Sequence, residues 1–351
     1  MGKAGGHHWA EALDWCDPAS GRPLTFLVTA RHPTGRPLTG ALVVEGTRTG
    51  YPIVDGIPRM TPELAARYET WLRALDLGIP AGVPSQPTVT VESFGFEWTW
   101  NPEPRSTADL PWRTAESHGL SPESYRDHLV LDAGCGAGDE SRFILSQGAA
   151  AHLVSLELSD AIVVAATKLT GDPRWLGVQG DVAHQPFGDG TFSFVYCEGV
   201  IHHTVDSRST VRELLRVLGP EGWIVATHYV TPSSCAGRAV DALRRALRAR
   251  LSRLDRASLL FVTGGLAALA HLPGLGRLVG RTAAFANPRH RIFRATWAHT
   301  YDAYGSHAFQ RRLAPEEFAG LFREVPGVTI VRHRGGDVVA RRTATQANGS
   351  R

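Results

Sequence analysis

The chain has 351 residues, 43% of them hydrophobic and 20% charged, which is enough for one large α/β domain with additions or for two smaller domains. Its 37 basic and 34 acidic side chains leave a net charge of +3, so the total gives no electrostatic argument for nucleic acid or an acidic membrane as a partner. The start, Met1-Gly2-Lys3-Ala4-Gly5-Gly6, lacks the apolar run of a secretory signal, and Cys16, Cys135, Cys197 and Cys235 have neither zinc-pair nor disulfide-framework spacing; the expectation is a reducing cytoplasm and no metal.

Residues 1–65 read as a small β-rich module. Leu24 to Thr29 and Ala41 to Glu45 are β-prone, and Asp55-Gly56 is a turn signal. Thr61 followed by Pro62 predicts a helix start. Residues 66–127 read as a linker, Pro-rich over 79–91, with an aromatic and helical lid segment at Phe94-Gly95-Phe96-Glu97-Trp98-Thr99-Trp100. From 128 to 343 strands and helices alternate, which implies a mostly parallel sheet with right-handed crossovers. The predicted strands are His128–Asp132, Ala151–Glu157, Trp175–Gln179, Thr191–Cys197 and, after a turn at Pro220-Glu221-Gly222, Trp223–His228. Helices are expected over 139–147, 160–169 and 207–218. Residues 236–300 interrupt the alternation as a helical insertion after the fifth strand. There Val240, Leu243, Leu247, Leu251 and Leu254 share one helical face, and seven arginines between 238 and 256 mostly take the other, as a solvated stripe. Residues 258–280 are nearly uncharged but interrupted by Gly264, Gly265, Pro273 and Gly274, so they read as a buried helical hairpin and not a membrane span. A helix after Pro315 and a closing hairpin over 328–341 follow, and 344–351 read as a disordered tail.

The chemistry concentrates at Asp132-Ala133-Gly134-Cys135-Gly136-Ala137-Gly138. A strand, a glycine turn and a helix make the usual ligand crevice of an open α/β sheet. A dinucleotide loop wants glycine at 139, where Asp139 stands. Three carboxylates, Asp132, Asp139 and Glu140, surround the turn; they repel a diphosphate and suit a ligand carrying an ammonium and a sulfonium. Glu157 ends the second strand, where an acid accepts both ribose hydroxyls, and Asp181 follows the third, within reach of an adenine amino group.

These motifs, with Gln179-Gly180-Asp181, Pro186-Phe187 and Gly199-Val200-Ile201-His202-His203, resemble the class I S-adenosylmethionine (SAM)-dependent methyltransferase family over about residues 128–230 and more loosely over 315–343. The resemblance implies a Rossmann-like α/β fold: a seven-stranded mostly parallel sheet with a C-terminal antiparallel hairpin. It implies SAM as cofactor, with Asp132, Ala133, Gly134, Cys135, Gly136 and Gly138 around the methionine part and Glu157 with Leu158 at the ribose. Asp181 and Val182 would frame the adenine, and Glu198 with Gly199 would lie beside the sulfonium. The front end, closing on Tyr51-Pro52-Ile53-Val54-Asp55-Gly56-Ile57-Pro58, resembles a zinc-ribbon-like module fused to such enzymes, with only Cys16 left of its cysteine pairs.

Methyl transfer needs alignment, a dry site and sometimes a base. His203, and after it His202, are the candidate bases at the end of the fourth strand. Trp98, Tyr229, Tyr301 and Asp302 are candidate acceptor contacts, with Phe96, Trp100, His228, Tyr304 and His307 as neighbours that equally suit packing. The function expected is methyl transfer to a small, partly apolar acceptor in specialised metabolism, with no nucleic acid partner, no membrane span and a homodimer as one arrangement. An RNA or protein methyltransferase and a SAM-binding protein without activity are the alternatives.

Overall fold

The computed structural model describes residues 8–83, 86–100, 122–272, 293–305 and 309–343. The front of the chain forms an antiparallel sheet of β1 (Leu24–Arg31), β2 (Pro37–Val44), β3 (Gly50–Val54) and β4 (Ile57–Pro58), ordered as in the sequence. Asp55 and Gly56 join the last two strands with φ of 54° and 75°, the left-handed pair that a two-residue hairpin requires. Thr61 caps α1 (Pro62–Ala66) by accepting the Leu64 N–H, as its position before a proline predicts, and α2 (Glu69–Ala74) follows.

The next helix, α3 (Thr88–Trp100), begins inside the stretch read as a Pro-rich linker. Its residues hide it, because Thr, Val, Gly and aromatic side chains are poor helix formers and its buried positions are Thr90, Ser93, Gly95 and Glu97, with no apolar stripe. Packing against the helix Ala161–Leu169 and the insertion supplies what local propensity does not.

The main sheet contains β5 (Leu129–Ala133), β6 (His152–Glu157), β7 (Trp175–Gln179), β8 (Phe192–Cys197), β9 (Leu218–Thr227), β10 (Val328–Arg334) and β11 (Asp337–Arg342), in the order β10-β11-β9-β8-β5-β6-β7. Strands β5 to β9 pair in parallel and the final hairpin is antiparallel. Helices α4 (Asp139–Ser146), α5 (Ala161–Leu169), α6 (Ser207–Val217) and α10 (Pro315–Arg323) pack around it. Strand order reverses between β5 and β8, which places a crevice at their carboxyl ends. One boundary differs from expectation. Pro220-Glu221-Gly222 is no turn before a strand but a bulge inside β9, since Leu218 already pairs with Phe192, Trp223 pairs with Phe194, and Glu221 takes φ 60° between them.

The insertion supplies α7 (Cys235–Leu251), α8 (Arg256–His271) and α9 (Phe293–Tyr304). Five of the seven arginines are exposed, as expected of a solvated stripe, but Arg244 and Arg248 face inward and are half-buried, while Leu243 is 51% exposed; buried Asp241 organises the inward side of α7 and binds Arg245 and Arg312 at 2.6 and 2.8 Å. The described part of the apolar stretch, 258–272, runs along α8, which packs one face on α9 and leaves Phe261 83% exposed; the rest of the expected hairpin, 273–280, lies outside the described residues.

The front module grips the main domain at two places. Arg59 and Met60 run parallel to edge strand β7, with Met60 N–H donating to the Gln179 carbonyl at 2.7 Å. On the other side Trp15 bridges to Phe187, Gly188 N–H donates to the Asp14 carbonyl, and Trp15 packs between Phe26 and Phe187 with centroids 5.8 and 5.0 Å away. Trp15, Leu42 and Ile53 from the module therefore share one continuous core with Val154, Phe187 and Phe192. Trp15→Ala is expected to cost about 3–5 kcal/mol in a single denaturant transition. Two separate transitions, with only the first displaced, would show that the sheets do not unfold together.

Candidate active site

The crevice opens into a cavity of about 320 Å³. Strand β5 ends at Ala133, and the chain then turns with Gly134 and Cys135 donating their N–H groups to the Leu156 carbonyl at 2.7 and 3.1 Å. Gly134 has φ +86° and a Cβ there would lie 2.2 Å from the Val200 side chain; Gly136 has φ +53° and a Cβ there would lie 3.0 Å from the Trp98 indole. Both positions thus exclude a side chain by conformation and by space. Asp132 is buried, accepts a hydrogen bond from Ser141 Oγ at 2.5 Å, and is pushed up to about 8 by burial and by the nearby carboxylates Glu140, Glu157 and Glu198. Glu157 accepts from the N–H groups of Gly136 and Ser159 at 3.1 and 2.8 Å, and burial raises its pKa too. Asp181 accepts from Ala183 N–H at 2.9 Å and from Gln86 Nε2 at 3.3 Å, and it raises the pKa of His184 beside it. Tyr196 donates its hydroxyl to Glu198.

Of the residues expected around the cofactor, Asp132, Gly134, Cys135, Gly136, Glu157, Leu158, Asp181, Val182, Glu198 and Gly199 line this one cavity. Two do not. Ala133 is fully buried in the strand, and Gly138 closes the loop against Ala165. Asp139, one of the three acids read around the turn, is also misplaced: it is buried in an ion pair with Lys168 at 2.9 Å and points away from the cavity. The lining stays acidic without it. Asp132, Glu140, Glu157, Asp181 and Glu198 are joined by Glu97 and Asp302, and no lysine or arginine stands among the described lining residues. That donor set fits SAM, with acceptor oxygens for an ammonium, a sulfonium and ribose hydroxyls, and it fits no diphosphate.

The front module reaches this site indirectly. Buried Arg59 donates to the Gln179 side chain, and Gln179 Nε2 in turn donates to the Leu158 carbonyl at 3.1 Å and to Asp160 at 3.0 Å. The turn that carries Glu157 and Leu158 is therefore held from the module's side.

The same cavity is lined by His203, Tyr229, His299 and Asp302 and by Phe94 of α3, while Trp98 of the same helix stands against the glycine turn. His203 Nδ1 is 2.9 Å from the Phe309 carbonyl, so this nitrogen carries the proton and donates it, leaving Nε2 as the basic one. Phe94 meets the His203 ring edge-on at 5.0 Å. The second expected base is placed elsewhere: His202 is fully buried, stacks on Tyr229 at 3.6 Å and does not line the cavity. Tyr301 likewise packs against Phe96 and Trp100 outside it. His228 is buried against Ser207 and Tyr304 is buried, and His307 lies outside the described residues. Sequence reasoning missed Gln86, Thr90, Phe94, Glu97 and His299. The first three recur with Trp98 at every fourth position, a helical spacing that would have revealed the face α3 turns to the cavity.

Two measurements check this geometry. Gly136→Val should abolish SAM binding by calorimetry while the far-ultraviolet circular dichroism is kept; retained affinity would mean that the loop does not carry the cofactor. The Asp132 carboxyl is largely protonated at neutral pH in the free protein and loses its proton more easily once a cation enters. Binding then releases up to about one proton, and affinity for SAM rises as pH rises toward about 8 and levels off above it. A flat profile, or one that Asp132→Asn leaves unchanged, would contradict this.

Comparison with known proteins agrees with the site. Residues 131–226 match the family model described as a methyltransferase domain. A demethylmenaquinone methyltransferase of Clavibacter sepedonicus is 33% identical over 125 residues, 35% of this chain and 49% of that protein. A sterol 24-C-methyltransferase of Schizosaccharomyces pombe is 33% identical over 121 residues, 32% and 31% of the two chains. The solved structure of YcgJ from Bacillus subtilis is 26% identical, covering 38% of this chain and 58% of that one, with a TM-score of 0.33. The chain thus spans half or less of the length of these two curated relatives. Around its glycine turn it carries a methyltransferase domain of the class I SAM-dependent family, with SAM as the cofactor.

Proposed function

We propose that this chain transfers the methyl group of SAM to a small, partly apolar acceptor through an oxygen, nitrogen or carbon nucleophile, in specialised metabolism, with His203 as the general base. The observation that carries the reading is the shared cavity: the glycine turn and its carboxylates line it together with a histidine held in a defined tautomer by the Phe309 carbonyl. SAM supplies a methyl carbon already activated by its sulfonium. The chain's part is to align and desolvate. Asp132, Glu157 and Asp181 hold the cofactor's polar groups, and Trp98 and Phe94 wall the space against water. Nε2 of His203 takes the proton of an acceptor hydroxyl or amine as the new bond forms. Tyr229, His299 and Asp302 offer hydrogen bonds to the acceptor, and Phe94 and Trp98 offer it apolar surface. Curated relatives named for demethylmenaquinone, sterols and tocopherol support the apolar part of this reading.

The test is methylation of a panel of hydroxylated and amino acceptors of graded polarity, read by mass spectrometry. His203→Ala is expected to lower kcat by about 10²–10⁴-fold with the affinity for S-adenosylhomocysteine unchanged. Cofactor binding without any methylated product would overturn the activity, and an unchanged rate in the variant would remove the base.

A further inference from the structure

The balanced charge of the chain conceals an asymmetry. Residues 235–272 contain seven arginines and two aspartates, a net charge of +5, against +3 for all 351 residues; the rest is slightly acidic. Arg244 and Arg248 point inward, but Arg250 and Arg253 stand exposed at the turn from α7 to α8. The outward side of α7 shows Ala242, Leu243 and Ala246 beside them, and no acid.

Helix α8, reached through that turn, carries an outward row of apolar residues of its own. Phe261 is 83% exposed, Leu269 43% and Leu272 47%, and with exposed Gly265 and Ala268 they fall on one side of the helix. The core does not need this stripe. The opposite side, Leu259, Thr263 and Ala267, is buried, and Trp297 of α9 donates its indole N–H to the Leu260 carbonyl at 3.1 Å. A solvent-facing stripe this apolar marks a contact surface.

We propose that the apolar outer side of α8, with the arginines of the turn before it, docks on an anionic lipid bilayer, lying in the headgroup interface. Among the described residues no helix is long and apolar enough to cross a membrane, and Arg250, Arg253 and Arg256, exposed around the turn that leads into the stripe, outnumber the exposed Asp255 beside them. Charge selects the occupant. A second copy on this face would double the positive charge at the contact, whereas an anionic headgroup layer neutralises it, at a gain for each arginine brought near the surface. Helix α9 lies directly beneath: it packs on α8 and contributes His299 and Asp302 to the cavity. Docking therefore brings the acceptor end of the cavity within one helix of the bilayer, a route for apolar acceptors that rests on the function proposed above.

Co-sedimentation of the full chain with vesicles tests it. Binding is expected to vesicles of phosphatidylglycerol and phosphatidylcholine in equal parts, and not to phosphatidylcholine alone. Phe261→Ser with Leu269→Ser should weaken partition by roughly tenfold or more. Arg250→Gln with Arg253→Gln should do the same, and high salt should mimic it. S-adenosylhomocysteine affinity should stay unchanged in both variants, showing that they fold. Failure to bind the mixed vesicles, equal binding to both kinds, or a dimer in light scattering that Phe261→Ser dissolves would each overturn the proposal. Methylation of a water-soluble acceptor without vesicles tests the catalytic reading separately, so either can fail alone.

Discussion

Seven carboxylates share one cleft with no lysine or arginine among its described lining residues, and most of the molecule's behaviour traces to that imbalance. Burial first, and then the like charges beside it, push Asp132 up to about 8. Hydrogen bonds from Ser141, from Tyr196 and from the N–H groups of Gly136 and Ser159 temper the cost without neutralising the group. What remains is a site whose empty form is electrostatically unsatisfied and whose natural counterpart is a small organic cation. The preference for a sulfonium cofactor over a dinucleotide is thus built into the same groups that make the cavity uncomfortable when empty.

Much of this was legible in the sequence, and for a definite reason. The parallel strands are continuous apolar runs bounded by turns, so β5 through β8 fall within a residue or two of where periodicity puts them. The glycine turn is legible because positive φ selects a residue type. Side-chain direction is less so. Asp139 looks like a member of the acidic ring until Lys168, 29 positions away, claims it. His202 and His203 are neighbours in sequence with similar prospects, and the backbone of the short turn sends one ring behind Tyr229 and the other to the cavity wall.

The insertion and α3 were the least legible parts. An arginine on an amphipathic helix is expected outside, yet Arg244 and Arg248 point inward, where burial lowers their pKa and the nearby carboxylates of Asp241 and Asp302 offset part of that cost. Helix α3 carries residues that disfavour helices and owes its form to what it covers. In both cases tertiary electrostatics or packing overrode the local signal, and both segments border the acceptor end of the cavity. Both segments lie outside residues 131–226, the stretch that the family model matches.

The parallel seam between Met60 and Gln179 has a consequence for how the protein can be handled. It occupies the outer hydrogen-bonding edge of β7 at Gln179, the end of a strand edge that is otherwise a template for another chain. A version trimmed to begin near residue 128 would bare that edge, strip the apolar partner from Phe187 and leave the Gln179 side chain without its guanidinium. The small front sheet therefore acts less as an accessory than as an end plate, and the shortest well-behaved form of this protein includes it.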